Sequence, residues 1–150
     1  MTDLRHLKNL TDDGRFRQKV AAILNDAGSH GYPLKVASSL RTVEEQREKV
    51  RLGYSKTMRS KHLPGWDGLA RAADIVDYHK GWECSKDVWV MVGRLALTKG
   101  LAWGGLWSLP WNERRKLKAF LLDMDSPFNP FNWQGHIGFD PAHVETKWLG

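Results

Sequence analysis

The chain has 150 residues, 41% hydrophobic and 27% charged, the balance of one soluble globular domain over residues 1–150, able to bury about two-thirds of its unfolded surface. No apolar run approaches the ~20 residues that cross a bilayer, which excludes an integral membrane protein, and a single cysteine, Cys84, excludes an intrachain disulfide and any zinc site built on two or more thiolates. A net charge of +6 predicts attraction to polyanions, whether nucleic acid, anionic lipid or the acidic polymers of a bacterial wall, without choosing among them.

In chain order, the N-terminus "MTDLRHLKNLTDD" is broken by charges and lacks the apolar centre of a secretory signal. Phe16, Val20, Ile23, Leu24 and Ala27 recur at helical spacing, which predicts a helix over residues 11–27 with Thr11 as its cap and Gly28 as its stop. After the turn at residues 31–33, "PLKVASSL" reads as a short strand. "TVEE" supplies a Thr-x-x-Glu capping box, so a second helix starts at Thr42 and runs to about Gly53. "AADIVDY" reads as a buried strand centred on Ile75 and Val76. Ser85 then caps a third helix, with Val88, Trp89, Val92, Leu95 and Ala96 on one face and Gly100 closing it.

"LAWGGLW" is too rich in Gly and Trp to be helical, and a fourth helix is expected over about 110–122, where Pro110 fits a first turn and Leu117, Phe120 and Leu121 share a face. "DSPFNPFNWQGHIG" reads as a loop with a strand at its end, and "HVETKW" as a short terminal strand. The strands stand too close together for repeated βαβ crossovers, so the expected class is α+β with a small, largely antiparallel sheet and helices packed against it. All eight tryptophans lie between Trp66 and Trp148; large aromatics dominate apolar burial, so most are expected in the core and a minority along a groove.

Three places carry candidate chemistry: His62, Asp74, and "DPAH" from Asp140 to His143. A catalytic zinc takes three protein ligands from His, Asp and Glu and leaves a fourth position open, a count that His62, Asp74 and His143 satisfy. Such a site also needs a carboxylate to receive a proton from water and pass it to the leaving amine, and Asp140 is the candidate. Taken singly, each residue reads equally well as a surface group, and Asp140 before Pro141 as an ordinary turn opener.

The neighbouring residues carry a resemblance. "SSLRTVEEQ", "GYSKT", "SKH", "AADIV", "GLAWGGLW" and "DPAHVE", in that order between Ser38 and Glu145, resemble the M15 metallopeptidases, a family of D-alanyl-D-alanine carboxypeptidases and dipeptidases and of L-alanyl-D-glutamate endopeptidases that bacteriophages use as endolysins. The resemblance implies a hedgehog/DD-peptidase-like fold whose sheet carries a Zn2+ site, with His62, Asp74 and His143 as ligands and Asp140 as the catalytic carboxylate. Arg41 matches an arginine that holds or polarises substrate in similar proteins; read alone, it is equally a salt bridge or a helix-start contact. Two departures stand out. His62 and Asp74 are twelve residues apart, more than the usual spacing, as though "WDGLA" at 66–70 had been inserted, and Asp67 within it is a competing carboxylate. Leu106 stands where many relatives have an acidic or polar residue, and the stretch 108–132 is expanded.

The implied activity is zinc-dependent hydrolysis of an amide bond in the peptide stem of bacterial peptidoglycan, by an endolysin of the L-alanyl-D-glutamate endopeptidase type. A D,D-carboxypeptidase or dipeptidase of the same family is the near alternative, and two histidines with one aspartate also accept cobalt or manganese. A basic, Trp-rich nucleic-acid-binding module is the distant alternative; the basic residues are dispersed and no nucleic-acid motif appears, so no nucleic-acid partner is expected. The expected form is a monomer, made in the host cytoplasm without a signal peptide and reaching the wall after release by a holin or lysis.

Overall fold

In the computed structural model, which describes residues 6–55 and 57–147, the five apolar residues at helical spacing are all buried on one face of helix α1 (Phe16–Ser29). The helix begins later than the sequence suggests. Gly14 and Arg15 take left-handed conformations, with φ of 59° and 61°, and interrupt the helical path between Thr11 and Phe16. Thr11 is therefore no cap; its hydroxyl donates to the Asp67 carboxylate at 2.5 Å. At the other end α1 runs through Gly28, and the left-handed residue past its end is Gly31, with φ of 83°.

Strand β1 (Leu34–Ser38) is followed by α2 (Val43–Arg51), where both bonds of the capping box form: the Glu45 N–H donates to the Thr42 hydroxyl and the Thr42 N–H to the Glu45 carboxylate, each at 3.0 Å. Strand β2 (Ala72–Asp77) is buried from Ala72 to Val76, as its apolar run predicts. Helix α3 (Lys86–Thr98) follows Ser85, whose hydroxyl bonds the Asp87 carboxylate instead of capping a backbone N–H. "LAWGGLW" becomes the two-residue strand β3 (Ala102–Trp103) and a 3-10 turn (Gly104–Leu106). Helix α4 (Trp111–Leu122) lies where expected, with Leu117 and Leu121 buried. The strand expected at the end of the 125–138 loop does not form; a 3-10 turn at Pro130–Asn132 precedes it, and Gly138 is tied to the Gly105 carbonyl by a 2.5 Å bond. The terminal strand β4 is His143–Glu145; it is shorter than expected, since Thr146 and Lys147 are not part of it, and Trp148 lies outside the described residues, as do Lys56 in "GYSKT" and residues 1–5.

The class is α+β. The sheet has the order β1-β2-β4-β3 with every pairing antiparallel. Side chains paired across a ladder share a face, and neighbours along a strand take opposite faces. Ala73 pairs with Val144 and Val36 with Ile75, and these join α1, α3 and Trp103 in the main core. Asp74 pairs with both His143 and Ser38, which places those three on the opposite face. The alternation of two thus separates the core from the site.

Helix α4 and the expanded stretch around it pack on α3. Arg94 of α3 donates to the carbonyls of Leu121 and Asp123 at 2.9 Å each and lies 4.5 Å from the centre of the Phe128 ring. The expectation that most of the tryptophans lie in the core is corrected. Among the described residues only Trp89 and Trp103 are buried, whereas Trp66, Trp82 and Trp111 are exposed. Leucine, valine and alanine fill the core instead, each fully buried Leu, Val, Ile or Phe contributing about 1.5–3 kcal/mol. No helix among the described residues is long and apolar enough to cross a membrane.

Candidate metal centre

Asp74 and His143 face each other across the β2–β4 ladder, and His62 joins them from the loop that follows α2. The 66–70 stretch that separates His62 from Asp74 does not swing free. Ala70 donates to the Asn9 carbonyl at 2.8 Å, Thr11 donates to the Ala70 carbonyl at 2.9 Å, and Trp66 Nε1 donates to Asp13 at 2.8 Å. Asp67 is engaged there by Thr11 and, at 3.3 Å, by Arg71, so the competing carboxylate belongs to this loop clasp. A loop closed at its base leaves its two ends in place whatever its length.

Each imidazole is oriented by a partner on its far nitrogen. His62 Nδ1 donates to the Ser39 carbonyl at 2.6 Å, which leaves Nε2 facing Asp74 Oδ2 at 3.3 Å. His143 Nε2 donates to Glu145 Oε1 at 2.8 Å, leaving Nδ1 3.5 Å from Asp74 Oδ1. Glu145 is in turn paired with Lys61 at 2.8 Å. Such partners on the outer nitrogen are what fix a histidine's tautomer for metal binding. The donor atoms of His62, Asp74 and His143 all lie within 4.8 Å of one another, and all three residues are buried. A tetrahedral ion with bonds of ~2.0–2.2 Å holds its ligands about 3.3–3.6 Å apart, so the set fits a zinc-like cation.

Protonation equilibria follow the packing. Burial pushes the Asp74 carboxyl up, but the bonds from His143 and His62 and their charges outweigh it and hold the group well below the usual carboxylate range. For His143 burial pushes down, and Asp74 and Glu145 outweigh it to raise the imidazole to about 9. Asp140, whose Oδ2 lies 3.9 Å from His143 Nδ1, is raised by burial and by the Asp74 charge, against the pull of His143, His62 and Arg41. An upward shift moves a carboxylate toward the range useful for exchanging protons near neutral pH.

The turn that carries Asp140 is held from behind. Trp103 Nε1 donates to the Pro141 carbonyl at 2.7 Å, the His143 N–H reaches the Asp140 carbonyl at 3.2 Å, and a side chain at Gly104 would collide with that same carbonyl. Arg41 Nη2 stands 3.8 Å from Asp74 Oδ2 while Nη1 donates to Gln46 Oε1 at 2.5 Å. Arg41 thus makes the ion pair and also lines the cleft.

That cleft, about 780 Å³, has the His62, Asp74 and His143 cluster in its wall. Trp107 closes it on one side, its ring 4.7 Å from that of His143 and 6.0 Å from Phe139. His6, which bonds Ser39 Oγ at 3.0 Å, and His30, His79 and His136 stay outside the cluster. Several contributors were missed in the sequence. Glu145 stands two residues from His143 on a strand, so the same-face period could have found it; Lys61 and the buried Gln46 had no such signal.

An antiparallel sheet that carries one imidazole and a carboxylate on the face opposite the core, with a second imidazole brought to them by a loop and a further carboxylate in the adjoining cleft, defines a candidate metallohydrolase centre. The fold is similar to that of the solved Serratia marcescens L-Ala D-Glu endopeptidase ChiX, with 25% identity and a TM-score of 0.57 over 95% of this chain and 84% of that one. No family model matches the chain. No curated protein matches it either.

Proposed function

We propose that the chain is a zinc-dependent peptidase that hydrolyses an amide bond in the peptide stem of bacterial peptidoglycan, of the L-alanyl-D-glutamate endopeptidase type and acting as a phage endolysin. The observation that carries this reading is the buried His62, Asp74 and His143 cluster with Asp140 beside it in the cleft. The similarity in fold to the Serratia endopeptidase supports the choice of substrate. His62 Nε2, Asp74 and His143 Nδ1 would hold the ion. When bound, zinc supplies a Lewis acid for the scissile carbonyl and lowers the pKa of water.

The chain's own residues do the rest. Asp140 takes a proton from the attacking water and returns it to the leaving amine, a role its raised pKa suits. Arg41 binds the substrate near the cluster, a role supported by its bond to Gln46 and its position in the cleft lining. Trp107 and Phe139 give the cleft an apolar wall that limits water.

The test is to replace Asp140 by Asn and measure bound zinc and wall lysis separately. Zinc is expected to stay near one per chain while lysis falls by about 10²–10⁴-fold, the range that general acid–base groups contribute. Undiminished lysis would remove Asp140 from the mechanism. Mass spectrometry of the muropeptides then identifies the bond: cleavage between L-alanine and D-glutamate fits, and loss of terminal D-alanine alone points to the carboxypeptidase reading.

A further inference from the structure

The charges of the cleft do not cancel. Of its basic residues, Arg41 faces Asp74 at 3.8 Å and Lys61 is paired with Glu145 at 2.8 Å. Lys49 and Arg59 also line the cleft, both are exposed, and neither forms an ion pair with a carboxylate among the described residues. Glu45, one turn before Lys49, feels the Lys49 charge, but its hydrogen bonds go to the Thr42 cap and it forms no salt bridge with Lys49. The two spare cations come from the segment that follows β1, whereas Trp107 and Phe139 come from the segments that precede β4.

The backbone that carries the two cations is pinned. The Lys49 carbonyl accepts from the N–H groups of Tyr54 and Ser55 at 2.9 and 3.1 Å, and the Lys49 ammonium lies 5.6 Å from the centre of the Tyr54 ring. Gln46 donates to Ser55 Oγ at 2.8 Å and to the Thr57 carbonyl at 2.6 Å, and the Arg59 N–H donates to Thr57 Oγ1 at 2.9 Å. One buried glutamine of α2 therefore ties Arg41 to the loop that presents Arg59, while Lys49 stands one turn further along the same helix.

Two exposed cations in no salt bridge with a described carboxylate, lining a cleft whose other basic side chains face carboxylates, form a recognition element for an anion that arrives with the substrate. We propose that Lys49 and Arg59 form a subsite for a free carboxylate of the stem peptide, lying outside the scissile amide, and that they make the enzyme prefer acidic stems over stems with amidated carboxylates. This rests on the peptidase reading above. It adds which residues select the substrate and by what charge.

The experiment compares kcat/KM of the zinc-loaded full chain on two synthetic stem peptides, identical except that the carboxylates outside the scissile bond are free in one and amidated in the other. Wild type is expected to favour the acidic peptide by about tenfold, since each exposed ion pair is worth up to ~5-fold, with the preference shrinking as salt rises from 0.05 to 0.5 M. In K49Q/R59Q the ratio of the two kcat/KM values is expected to fall to about one, mainly through KM, and in K49E/R59E to invert. Arg115→Gln removes a cation from α4 that lies 4.9 Å from the Trp111 ring, and is expected to leave the ratio as in wild type. An unchanged ratio in K49Q/R59Q, or a fall as large in R115Q, overturns the subsite and leaves the peptidase reading standing. Failure of zinc-loaded wild type to cleave either peptide overturns both.

Discussion

Glu145 shows how much of a candidate metal centre lies outside the three residues that would hold the ion. It accepts from His143 Nε2 at 2.8 Å and is balanced by Lys61, so it orients the ring whose other nitrogen faces Asp74. Glu145→Ala is expected to weaken zinc binding by about 10–100-fold, read by competition with a chelator, while the fold survives; unchanged affinity would show that the ring needs no such partner. The same contacts set a pH dependence. His143 is raised to about 9 in the metal-free protein, so its contribution to stability is complete below the unfolded value of ~6.5 and is lost as pH rises through about 9. Asp74 is lowered, so its contribution is complete above ~3.9 and is lost as pH falls toward its folded value. Chelated protein should therefore lose the His143 contribution between about pH 6.5 and 9, with that of Asp74 unchanged over that range. Zinc binding should tighten over that range and release a proton, because the ligand must be neutral. Melts of chelated protein at pH 6 and 9, with zinc titrations in two buffers of different ionisation enthalpy, check both; an affinity independent of pH would rule out His143 as the ligand that deprotonates.

At the scale of elements, the long periodic segments were legible, β4 was legible in place though shorter than expected, and β3 was not read as a strand. Helices α1 and α3 and strand β2 have enough residues for a period to show, whereas β3 has two residues and β4 three, too few to carry one. Their places are set by tertiary contacts instead, and β3 is where the core and the site are joined. The Trp103 ring covers Gly93 of α3 so closely that a Cβ there would stand 2.7 Å from it, while Trp103 Nε1 holds the Pro141 carbonyl. Gly93→Ala must push this ring, and overpacking of this kind costs ~1–3 kcal/mol. At ~2–4 °C per kcal/mol, Tm should fall by roughly 2–12 °C. Because the ring is tied to the Asp140 turn, peptide cleavage should fall by more than the loss of folded protein explains, which activity per folded molecule measures. A drop in Tm with full specific activity would separate the core from the site.

Across the whole molecule, the residues of the candidate centre were legible as an ordered set, and their convergence depends on pairings no local stretch contains. Asp74 meets His143 because β4 inserts between β2 and β3, and His62 meets both because the 66–70 loop is clasped to Asn9, Thr11 and Asp13. The tryptophans misled for a related reason: composition counts side chains, and exposure depends on partners such as Asp13 for Trp66 and Arg115 for Trp111. An ion held by three segments distant in the chain binds the folded state and has no comparable site in the unfolded one, so it should raise stability by mass action. At free zinc about 1,000 times its Kd the gain is ~4.1 kcal/mol, or roughly 8–16 °C in Tm for a chain of this size. His143→Ala should melt at nearly the same temperature with zinc or with chelator, since two remaining donors hold the ion weakly. Asp140→Asn should keep the full zinc-dependent rise, because its carboxylate stands beside the donors and does not join them. If instead Asp140→Asn lost the rise and His143→Ala kept it, the ligand and the proton carrier would have to exchange places, and the cleft would need a different chemistry from the one its geometry favours.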